Sequence, residues 1–328
     1  METALSGITP SGKLTLGNYI GAIQQFIKMQ NEYKMYAFVS NLHSLTIDQD
    51  SDERRKNTRD LVAFYLASGL DTNKTTIFLQ SEVMTHAQLT WIMQCYTYMG
   101  ELSRMTQYKD KSQKHSDNIN VGLFTYPTLM AADILIYNPK YVPVGEDQRQ
   151  HVELARDIAI RFNNKYGETF KIPEIKITKG GAKIMSLSHP EKKMSKSDEP
   201  SDKGCIYLLD DEDAITSKIM SATTDNVGIV QYDVVNQPGI SNLLVIYSQM
   251  EKITIEEAAQ KFKDYKYADF KKAVAKSIVI HLKELQEKYH YVLEHNLVEQ
   301  ALEKGKLEAL EVSTKKVLEV QDKLGLYI

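Results

Sequence analysis

Strand-like and helix-like patterns alternate over the N-terminal part of the chain. Short runs rich in β-branched and aromatic residues predict strands at 3–5, 35–40, 75–80 and 141–144. Longer segments with apolar residues at helical spacing predict helices at 52–68 and 85–99. Strands that alternate with helices usually form a parallel sheet covered by helices, with ligands at the carboxyl ends of the strands. We therefore expect an α/β fold with such a sheet.

The pattern changes after about residue 200, where strand signals fade and helices follow one another. Predicted helices lie at 211–221, 240–250, 254–263 and 269–294. An apolar stripe predicts the core-facing side of the long helix, at Val274, Ile278, Leu282 and Leu285. A similar stripe marks the terminal helix, at Leu307, Leu310, Thr314, Val317 and Leu324. The C-terminal part is therefore expected to be a smaller, all-helical domain.

Composition and charge add limits to this picture. The chain has 328 residues, enough for about two domains, and its 42% hydrophobic content can fill a substantial core. A formal net charge of −3 argues against nonspecific nucleic-acid binding, so any RNA contact must come from local patches. Basic stretches at 104–115 and 261–288 are candidates, although solvated helix faces have the same composition.

Targeting signals and cysteine usage indicate the compartment. The N-terminal segment lacks the apolar core of a secretory signal peptide, and no apolar run in the sequence reaches membrane-spanning length. Cys95 and Cys205 are too few and too far apart for a disulfide framework or a zinc cluster. Cys95 falls in an apolar helical pattern and is expected to be buried. We expect a cytoplasmic protein without a membrane partner or a protein-bound metal.

The most informative motif is the loop Lys193-Met194-Ser195-Lys196-Ser197, which concentrates two ammonium groups and two hydroxyls. Ammonium groups and hydroxyls suit the oxygens of a polyphosphate, and a thioether can rest against a flat apolar ring. A solvated charged loop is the alternative interpretation of five such residues. A second phosphate signal elsewhere in the chain favours the first interpretation.

That second signal is the turn at 6–19, between the first strand and a helix predicted to run to about residue 30. Its glycines and small residues let backbone amides approach an anion, and the first turn of the helix directs unpaired N–H groups toward it. Thr15 and Asn18 add neutral donors. A glycine and proline turn that caps an ordinary helix is the alternative.

The same turn nearly matches a Walker-type phosphate loop. Gly7, Gly12 and Lys13 have the spacing of that motif, but Leu14 stands where a Ser or Thr must place its hydroxyl on magnesium. Thr15 comes one residue late. A P-loop nucleotidase is therefore a minor alternative.

Together, the two phosphate motifs resemble those of class I aminoacyl-tRNA synthetases. Within that class the chain is similar to bacterial-type tryptophanyl-tRNA synthetases, from Leu5 to the C-terminus. The class carries a His-x-Gly-His signature in its N-terminal turn, where this chain has Thr15-Leu16-Gly17-Asn18, a substitution that resembles the tryptophanyl branch. The loop at 193–197 matches the mobile signature loop of the class without departure. Further matching segments lie at 41–43, 100–102, 104–107, 126–133 and 142–148.

The resemblance implies a domain organisation and a reaction. The implied parts are a Rossmann-like catalytic domain at 1–190, a mobile loop at 191–200, a helical anticodon-binding domain at 201–290, and C-terminal helices at 291–328 that pack back on the catalytic domain. The implied reaction is activation of L-tryptophan by ATP, with Mg²⁺ carried on the phosphates, followed by transfer to tRNA(Trp). A symmetric homodimer is also implied, through the helix at 91–99 and the following residues 100–107.

The resemblance also implies the site residues. It places the indole N–H on Asp133, and the residues implied to hold the rest of tryptophan are Leu5, His43, Tyr126, Met130 and Gln148. The implied ATP set is Thr9, Pro10, Ser11, Gly17, Asn18, Gly145, Glu146, Asp147, the backbone near Ile184, Lys193, Met194, Ser195, Lys196 and Ser197. Lys193 and Lys196 are the main catalytic cations in this assignment, with Thr15 and Asn18 beside them. Acidic helix caps are the alternative for Asp133 and Asp147.

Three positions depart from the family pattern. Leu5 stands where an aromatic residue is common, Thr9 where bacterial relatives often carry Gln, and Asn41 where an acid is usual. Leu5 still supplies apolar surface and Thr9 still supplies a hydroxyl. Two alternatives share much of the resemblance: a tyrosyl-tRNA synthetase, which lacks the block at 126–133, and a catalytically inactive RNA-binding paralogue, which would not need both lysines and Asp133.

Overall fold

The computed structural model describes residues 1–114, 119–177, 183–194 and 203–326. Within these ranges the chain forms a sheet of five parallel strands. The strands are β1 (Thr3–Ile8), β2 (Lys34–Val39), β3 (Thr75–Leu79), β4 (Tyr141–Val144) and β5 (Glu174–Ile177). Their spatial order is β3-β2-β1-β4-β5. The first four strands confirm the sequence prediction, whereas β5 is absent from it.

The direction of the chain across the sheet reverses at β1, the central strand. From β1 the chain moves outward to β2 and β3, and then returns to β4 and β5 on the other side. Carboxyl ends of neighbouring strands lie side by side, since Ile8 pairs with Val39 and Val144 pairs with Ile177. Connections that leave a sheet in opposite directions open a crevice at such a point, and ligands bind there in open α/β sheets.

The helices of the described chain fall into two groups. Those interleaved with the strands are α1 (Leu16–Asn18), α2 (Gln24–Met29), α3 (Ser51–Ala67), α4 (Thr85–Gln94), α5 (Met99–Ser103), α6 (Thr106–Lys114), α7 (Val121–Leu135) and α8 (Arg149–Tyr166). A π-helical stretch, Tyr19–Ile23, joins α1 to α2. Those that follow are α9 (Glu212–Ser221), α10 (Pro238–Glu251), α11 (Ile255–Phe262), α12 (Tyr267–Glu294) and α13 (Leu297–Lys323). Among the helices described, none combines the length and the apolar character that crossing a membrane requires.

An apolar core covers each face of the sheet. Side chains alternate along β2, so Met35, Ala37 and Val39 enter one core while Tyr36 and Phe38 enter the other. The first core continues into the C-terminal helices and takes in the predicted apolar face of α12. The Rossmann-like α/β fold with an all-helical part is thereby confirmed, while the exact domain boundaries stay a prediction.

The terminal helix α13 packs on β3, as expected, through a face that coincides only in part with the predicted stripe. Its buried residues are Val298, Ala301, Gly305, Ala309, Ser313, Val317 and Val320. Of the predicted stripe, Val317 is buried and Leu310 and Leu324 are partly buried against the core, but Leu307 is 60% exposed and Thr314 is exposed. The difference comes from a close approach of two backbones, because a Cβ on Gly305 would lie 1.8 Å from the carbonyl oxygen of Ile77. Small residues permit this approach and therefore take several of the buried positions.

Three other local features differ from the sequence prediction. Gly7 lies inside β1 and pairs with Phe38, so it does not begin a phosphate loop, and the P-loop alternative is wrong. Cys95 is exposed rather than buried, because α4 ends one residue before it. Helix α7 is absent from the prediction, since Pro127 inside it lacks the N–H group that a regular helical turn uses.

The contact between α13 and β3 predicts a stability effect. We expect Gly305→Ala to lower the free energy of unfolding by about 2 kcal/mol. The overlap is with backbone atoms, which puts the overpacking cost at the upper end of about 1–3 kcal/mol, and alanine regains about 1 kcal/mol in helix propensity. Chemical denaturation monitored by circular dichroism measures the difference. Gly21→Ala is the matched control, since a Cβ at Gly21 meets nothing within 4 Å. Unchanged stability of Gly305→Ala would contradict the close approach.

Candidate active site

A cavity of about 540 Å³ opens at the carboxyl ends of β1 and β4, where the chain direction reverses. Leu5, Phe38 and Met130 belong to its apolar lining, and His43 and Asp133 belong to its polar lining. Cavities of about 300–1,000 Å³ with apolar walls and a few polar groups are typical binding sites for small molecules. This cavity is therefore the candidate active site.

The carboxylate of Asp133 lies on α7 at the base of this cavity, where only 1% of the residue is exposed. His43 donates from Nε2 to Oδ2 at 2.8 Å, and His86 donates from Nδ1 to Oδ1 at 2.7 Å. Gln80 donates from Nε2 to both oxygens, at 2.7 and 2.9 Å. The buried carboxylate is thus held by three side chains, as a buried charge requires.

The three donors reach Asp133 from three different elements. His43 begins a 3₁₀ turn (His43–Thr46) after β2, Gln80 begins another (Gln80–Glu82) directly after β3, and His86 lies on α4. Gln80 also accepts a hydrogen bond from the backbone N–H of Leu42 at 3.0 Å, which fixes it to the segment before His43. The ends of two strands and two helices therefore converge on one carboxylate.

These partners decide the ionisation state of Asp133. Burial disfavours the charged form and alone would raise the pKa of the carboxyl, but the hydrogen bonds that His43 and His86 make to it contribute most to the opposing effect, which lowers the pKa to about 2. The carboxyl is therefore ionised at neutral pH. An ionised carboxylate only accepts hydrogen bonds, so it recognises a ligand through an N–H or O–H group.

The residues predicted to hold tryptophan all line the same cavity. They are Leu5, His43, Tyr126, Met130, Asp133 and Gln148. Tyr126 shares a hydrogen bond of 2.9 Å with Nε2 of His151, and burial raises the pKa of its phenol to about 12. The rings of His43 and Tyr126 meet edge to face, with centroids 6.0 Å apart. Their contacts with a ligand stay a prediction.

Part of the predicted ATP set borders this cavity as well. Thr9, Ser11 and Gly145 are among the lining residues, and the hydroxyls of Thr9 and Ser40 lie 3.0 Å apart. Pro10, which lies between Thr9 and Ser11 in sequence, is buried. Glu146 and Asp147, the two members of the predicted ATP set that follow Gly145, are exposed.

The exposed acids after Gly145 have partners on their own surface turn. Glu146 forms an ion pair with Arg149 at 2.6 Å, and Asp147 accepts from the amide of Gln148 at 2.9 Å. Both acids therefore lie at the mouth of the cavity rather than inside it, on the 3₁₀ turn Glu146–Gln148. A role toward ATP for either of them stays a prediction.

Thr15 and Asn18, the other expected catalytic residues, form a capping box at the start of α1. The Thr15 hydroxyl accepts from the backbone N–H of Asn18 at 3.2 Å and donates to Oδ1 of Asn18 at 3.1 Å. Asn18 uses its amide oxygen here, and its amide nitrogen takes no part in the cap. The pair thus fixes the entry into the helix, which positions the preceding turn.

The base of the loop at 193–197 lies beside this helix start. A Cβ on Gly17 would be 3.6 Å from Cβ of Met194 and 3.7 Å from Cβ of Ile184. The backbone N–H of Met194 donates to the carbonyl of Ile184 at 3.0 Å, and the side chains of both residues are buried in the core. Lys193 is exposed. The predictions for Ser195, Lys196 and Ser197 lie outside the described residues.

Two residues of this site were missed by the sequence analysis. Gln80 and His86 contact Asp133 directly, yet neither belongs to a motif. Their position in the chain is the one sequence signal for them: both follow β3, and β3 lies beside β2, which ends at the cavity. Their partner is distant in sequence, so local pattern alone does not reveal them.

A parallel sheet with an amino-acid-sized cavity at its reversal point, and a phosphate-type turn beside it, is the architecture of class I aminoacyl-tRNA synthetases. Residues 2–283 match the model of the family described as tRNA synthetases class I (W and Y), and the chain belongs to this family. It is accordingly an enzyme of the aminoacyl-tRNA synthetase class. The predicted family membership is confirmed.

Similar proteins agree over the full length of the chain. It is 50% identical to a tryptophan–tRNA ligase of Bacillus subtilis, over 99% of this chain and 98% of that protein. The structure superposes on a tryptophanyl-tRNA synthetase from Mycoplasma pneumoniae with a TM-score of 0.92 and 36% identity, covering 100% and 98% of the two chains. It also superposes on the Campylobacter jejuni enzyme complexed with ADP and tryptophan, with a TM-score of 0.84 and 34% identity over 98% and 99%.

The lowered pKa of Asp133 predicts a contribution to stability that depends on pH. Because the folded pKa is about 2 against an ordinary value of 3.8, the stabilisation is complete above about pH 5 and is lost as the pH falls toward 2. We expect the stability advantage of the wild type over Asp133→Asn to shrink by about 1 kcal/mol between pH 5 and pH 3. Urea unfolding of both proteins at each pH measures this. An advantage that grows on acidification would contradict the assignment.

Proposed function

We propose that the chain is a tryptophan–tRNA ligase, which activates L-tryptophan with ATP and transfers it to tRNA(Trp). The single observation that carries the proposal is the ionised, buried Asp133 at the base of an apolar cavity. Full-length relatives named tryptophan–tRNA ligase support the same conclusion. A cytoplasmic location follows from this function, since tRNA is charged where proteins are synthesised.

Selection of tryptophan depends on the indole N–H. Asp133 is buried among apolar and aromatic residues and keeps its three side-chain donors, but its bond to the ligand is lost when the ligand lacks an N–H group. A site built to hydrogen-bond a ligand group rejects an analogue without that group by about 10⁴-fold, whereas apolar fit alone discriminates by only about 1–3 kcal/mol per methylene. Phenylalanine fits the apolar walls but offers no donor. Leu5, Tyr126 and Met130 then hold the faces of the ring.

The activation step needs positioning more than proton transfer. The carboxylate of tryptophan attacks the α-phosphorus of ATP in line, forming a P–O bond while the bond to the bridging oxygen breaks and pyrophosphate leaves. A carboxylate is already a nucleophile and needs no general base. Catalysis therefore comes from alignment and from cations that stabilise the departing charge. Lys193 and Lys196 are the cations assigned to this task.

The phosphates of ATP would lie on the turn at 9–18. Thr9 and Ser11 face the cavity, and the Thr15 and Asn18 cap holds the following helix start next to Met194. Mg²⁺ would enter bound to the phosphates as part of the substrate.

Transfer of the tryptophanyl group requires contact with tRNA. The acceptor end must reach the same cavity, because the ribose hydroxyl attacks the carbonyl carbon of the adenylate and AMP leaves. Apart from the buried Lys271, the lysines of the stretch at 261–288 lie on and between α11 and α12 and provide local positive charge for the tRNA backbone despite the net charge of −3. The helical part is thereby assigned to the anticodon arm.

The proposed enzyme acts as a homodimer. Four large apolar residues are exposed along α4 and α5: Met84 at 78%, Trp91 at 70%, Tyr98 at 60% and Met99 at 70%. An exposed aromatic and methionine-rich patch of this kind is typical of a protein interface. Trp91, Tyr98 and Met99 lie in the segment at 91–107 that was assigned to the dimer from the sequence, and Met84 precedes that segment. A twofold interface would bury the same patch of each protomer.

Amino-acid-dependent exchange of labelled pyrophosphate into ATP tests the activity. Across the standard amino acids, only tryptophan should support exchange by the wild type. Asp133→Ala should raise the KM for tryptophan by about 10- to 150-fold, since it removes a charged hydrogen-bond partner worth about 1.5–3 kcal/mol. The KM for ATP should change little. Exchange with tyrosine alone, or equal loss of affinity for both substrates, would contradict the proposal.

The interface assignment predicts dissociation on charge insertion. Trp91→Glu places a carboxylate in the segment assigned to the interface, where burial without a partner is costly. Light scattering coupled to gel filtration should show a dimer for the wild type and a monomer for this variant. Leu307→Glu is the matched control, since Leu307 is 60% exposed on α13, outside the patch. A monomeric wild type, or a dimeric Trp91→Glu, would refute the interface.

A further inference from the structure

His86 contacts the recognition carboxylate from the side opposite the cavity. His43 bonds Oδ2 and lines the cavity, whereas His86 bonds Oδ1, is 0% exposed and does not belong to the lining. Gln80 joins His86 behind the carboxylate. Of the described donors to Asp133, His43 can therefore touch a ligand, while His86 acts only through Asp133.

Hydrogen-bond chemistry fixes the tautomer of His86. An ionised carboxylate only accepts, so Nδ1 of His86 must carry a proton toward Oδ1. In a neutral imidazole Nε2 is then an acceptor, and it lies 2.8 Å from the phenol oxygen of Tyr137. Burial raises the pKa of Tyr137 well above its usual range, so the phenol keeps its proton and donates it to Nε2. The two hydrogen bonds are therefore donated in sequence: Tyr137 donates to His86, and His86 donates to Asp133.

We propose that His86 is a positioning residue for amino-acid recognition, held by Tyr137 in the tautomer that orients the Asp133 carboxylate toward the indole N–H. This inference rests on the proposed function and adds two residues to its specificity. His86 and Tyr137, which are buried and lie outside the cavity lining, then determine the direction in which the lone pairs of Asp133 point.

The placement of the donors supports this assignment. His43 donates to Oδ2 from the cavity side, His86 donates to Oδ1, and Nε2 of Gln80 is shared between the two oxygens. His86 is therefore the donor that holds Oδ1 alone. Without His86, Oδ1 keeps only the shared bond from Gln80, and the carboxylate can turn toward the vacated space. The lone pairs on the cavity side then no longer point at the indole nitrogen.

The C-terminal helix takes part in the same arrangement. Ser313 of α13 is fully buried, accepts a hydrogen bond from Thr85 of α4 at 2.7 Å, and lies within hydrogen-bonding reach of Tyr137. The close approach of α13 to β3 at Gly305 brings Ser313 to this depth. Tyr137 also stacks on Tyr36 of β2, with ring centroids 4.6 Å apart. The phenol that sets the tautomer is thus itself fixed by two elements.

The test compares ligands that differ only in the recognised group. In benzothienylalanine a sulfur atom replaces the indole N–H, so the ratio of kcat/KM for tryptophan to that for this analogue reports the hydrogen bond to Asp133. Pyrophosphate exchange measures both values. In His86→Leu the ratio should fall at least tenfold, mainly through a higher KM for tryptophan. A general loss of packing would lower both values together and leave the ratio unchanged.

Conservative variants separate orientation from bulk. Unlike His86→Leu, His86→Asn should keep the ratio within about threefold of the wild-type value. The amide nitrogen of asparagine lies near the position of Nδ1 and can donate to Asp133. Tyr137→Phe should lower the ratio, since His86 loses the donor that fixes its tautomer. Tyr289→Phe is the matched control: Tyr289 also donates to a carboxylate, Oδ1 of Asp60 at 2.7 Å, but on α12, outside the cavity. Its ratio should equal that of the wild type.

The outcomes distinguish this inference from the proposed function. Absence of tryptophan-dependent exchange in the wild type would overturn the function itself. Wild-type exchange with an unchanged ratio in folded His86→Leu and in Tyr137→Phe would overturn the positioning role alone. If His86→Leu fails to fold by circular dichroism, Tyr137→Phe decides: a lowered ratio supports the role, and an unchanged one overturns it.

Discussion

The buried negative charge of Asp133 is the constraint on which the candidate active site depends. An ionised carboxyl without partners is too costly to bury in an apolar interior, so the fold must bring donors to it. His43, Gln80 and His86 provide them from the ends of β2 and β3 and from α4. These elements are consequently held in register with α7, which carries the carboxylate. The same bonds that stabilise the charge shape the base of the cavity.

The second constraint is the reversal of chain direction at β1. It places the residues predicted to bind tryptophan and part of the predicted ATP set around one crevice, although they are spread from Leu5 to Gln148 in sequence. The start of α1 then packs beside the base of the distant loop, with Gly17 next to Ile184 and Met194. Two motifs that each have an ordinary structural explanation thus become neighbours. Their proximity supports the assignment of both to one nucleotide.

Sequence reasoning was most successful where the information is local. The strand at 35–40 and the apolar face of α12 are short-range patterns, and the structure shows both near their predicted places. It failed where two distant segments decide the outcome. The leucine stripe of α13 has helical spacing, but the buried face is set by the approach of Gly305 to Ile77, which no pattern within the helix reveals. Gln80 and His86 were missed for the same reason, since each is defined by a contact with a residue more than forty positions away.

The central claim is that Asp133 accepts a hydrogen bond from the indole N–H of bound tryptophan. Proton NMR of tryptophan labelled with ¹⁵N at the indole nitrogen, in saturating amounts of the protein, observes this group alone. We predict that the indole proton resonance moves downfield on binding and that this proton exchanges slowly with water. Both properties should be lost in Asp133→Ala. A bound indole proton that keeps the chemical shift and the fast exchange of free tryptophan would contradict it.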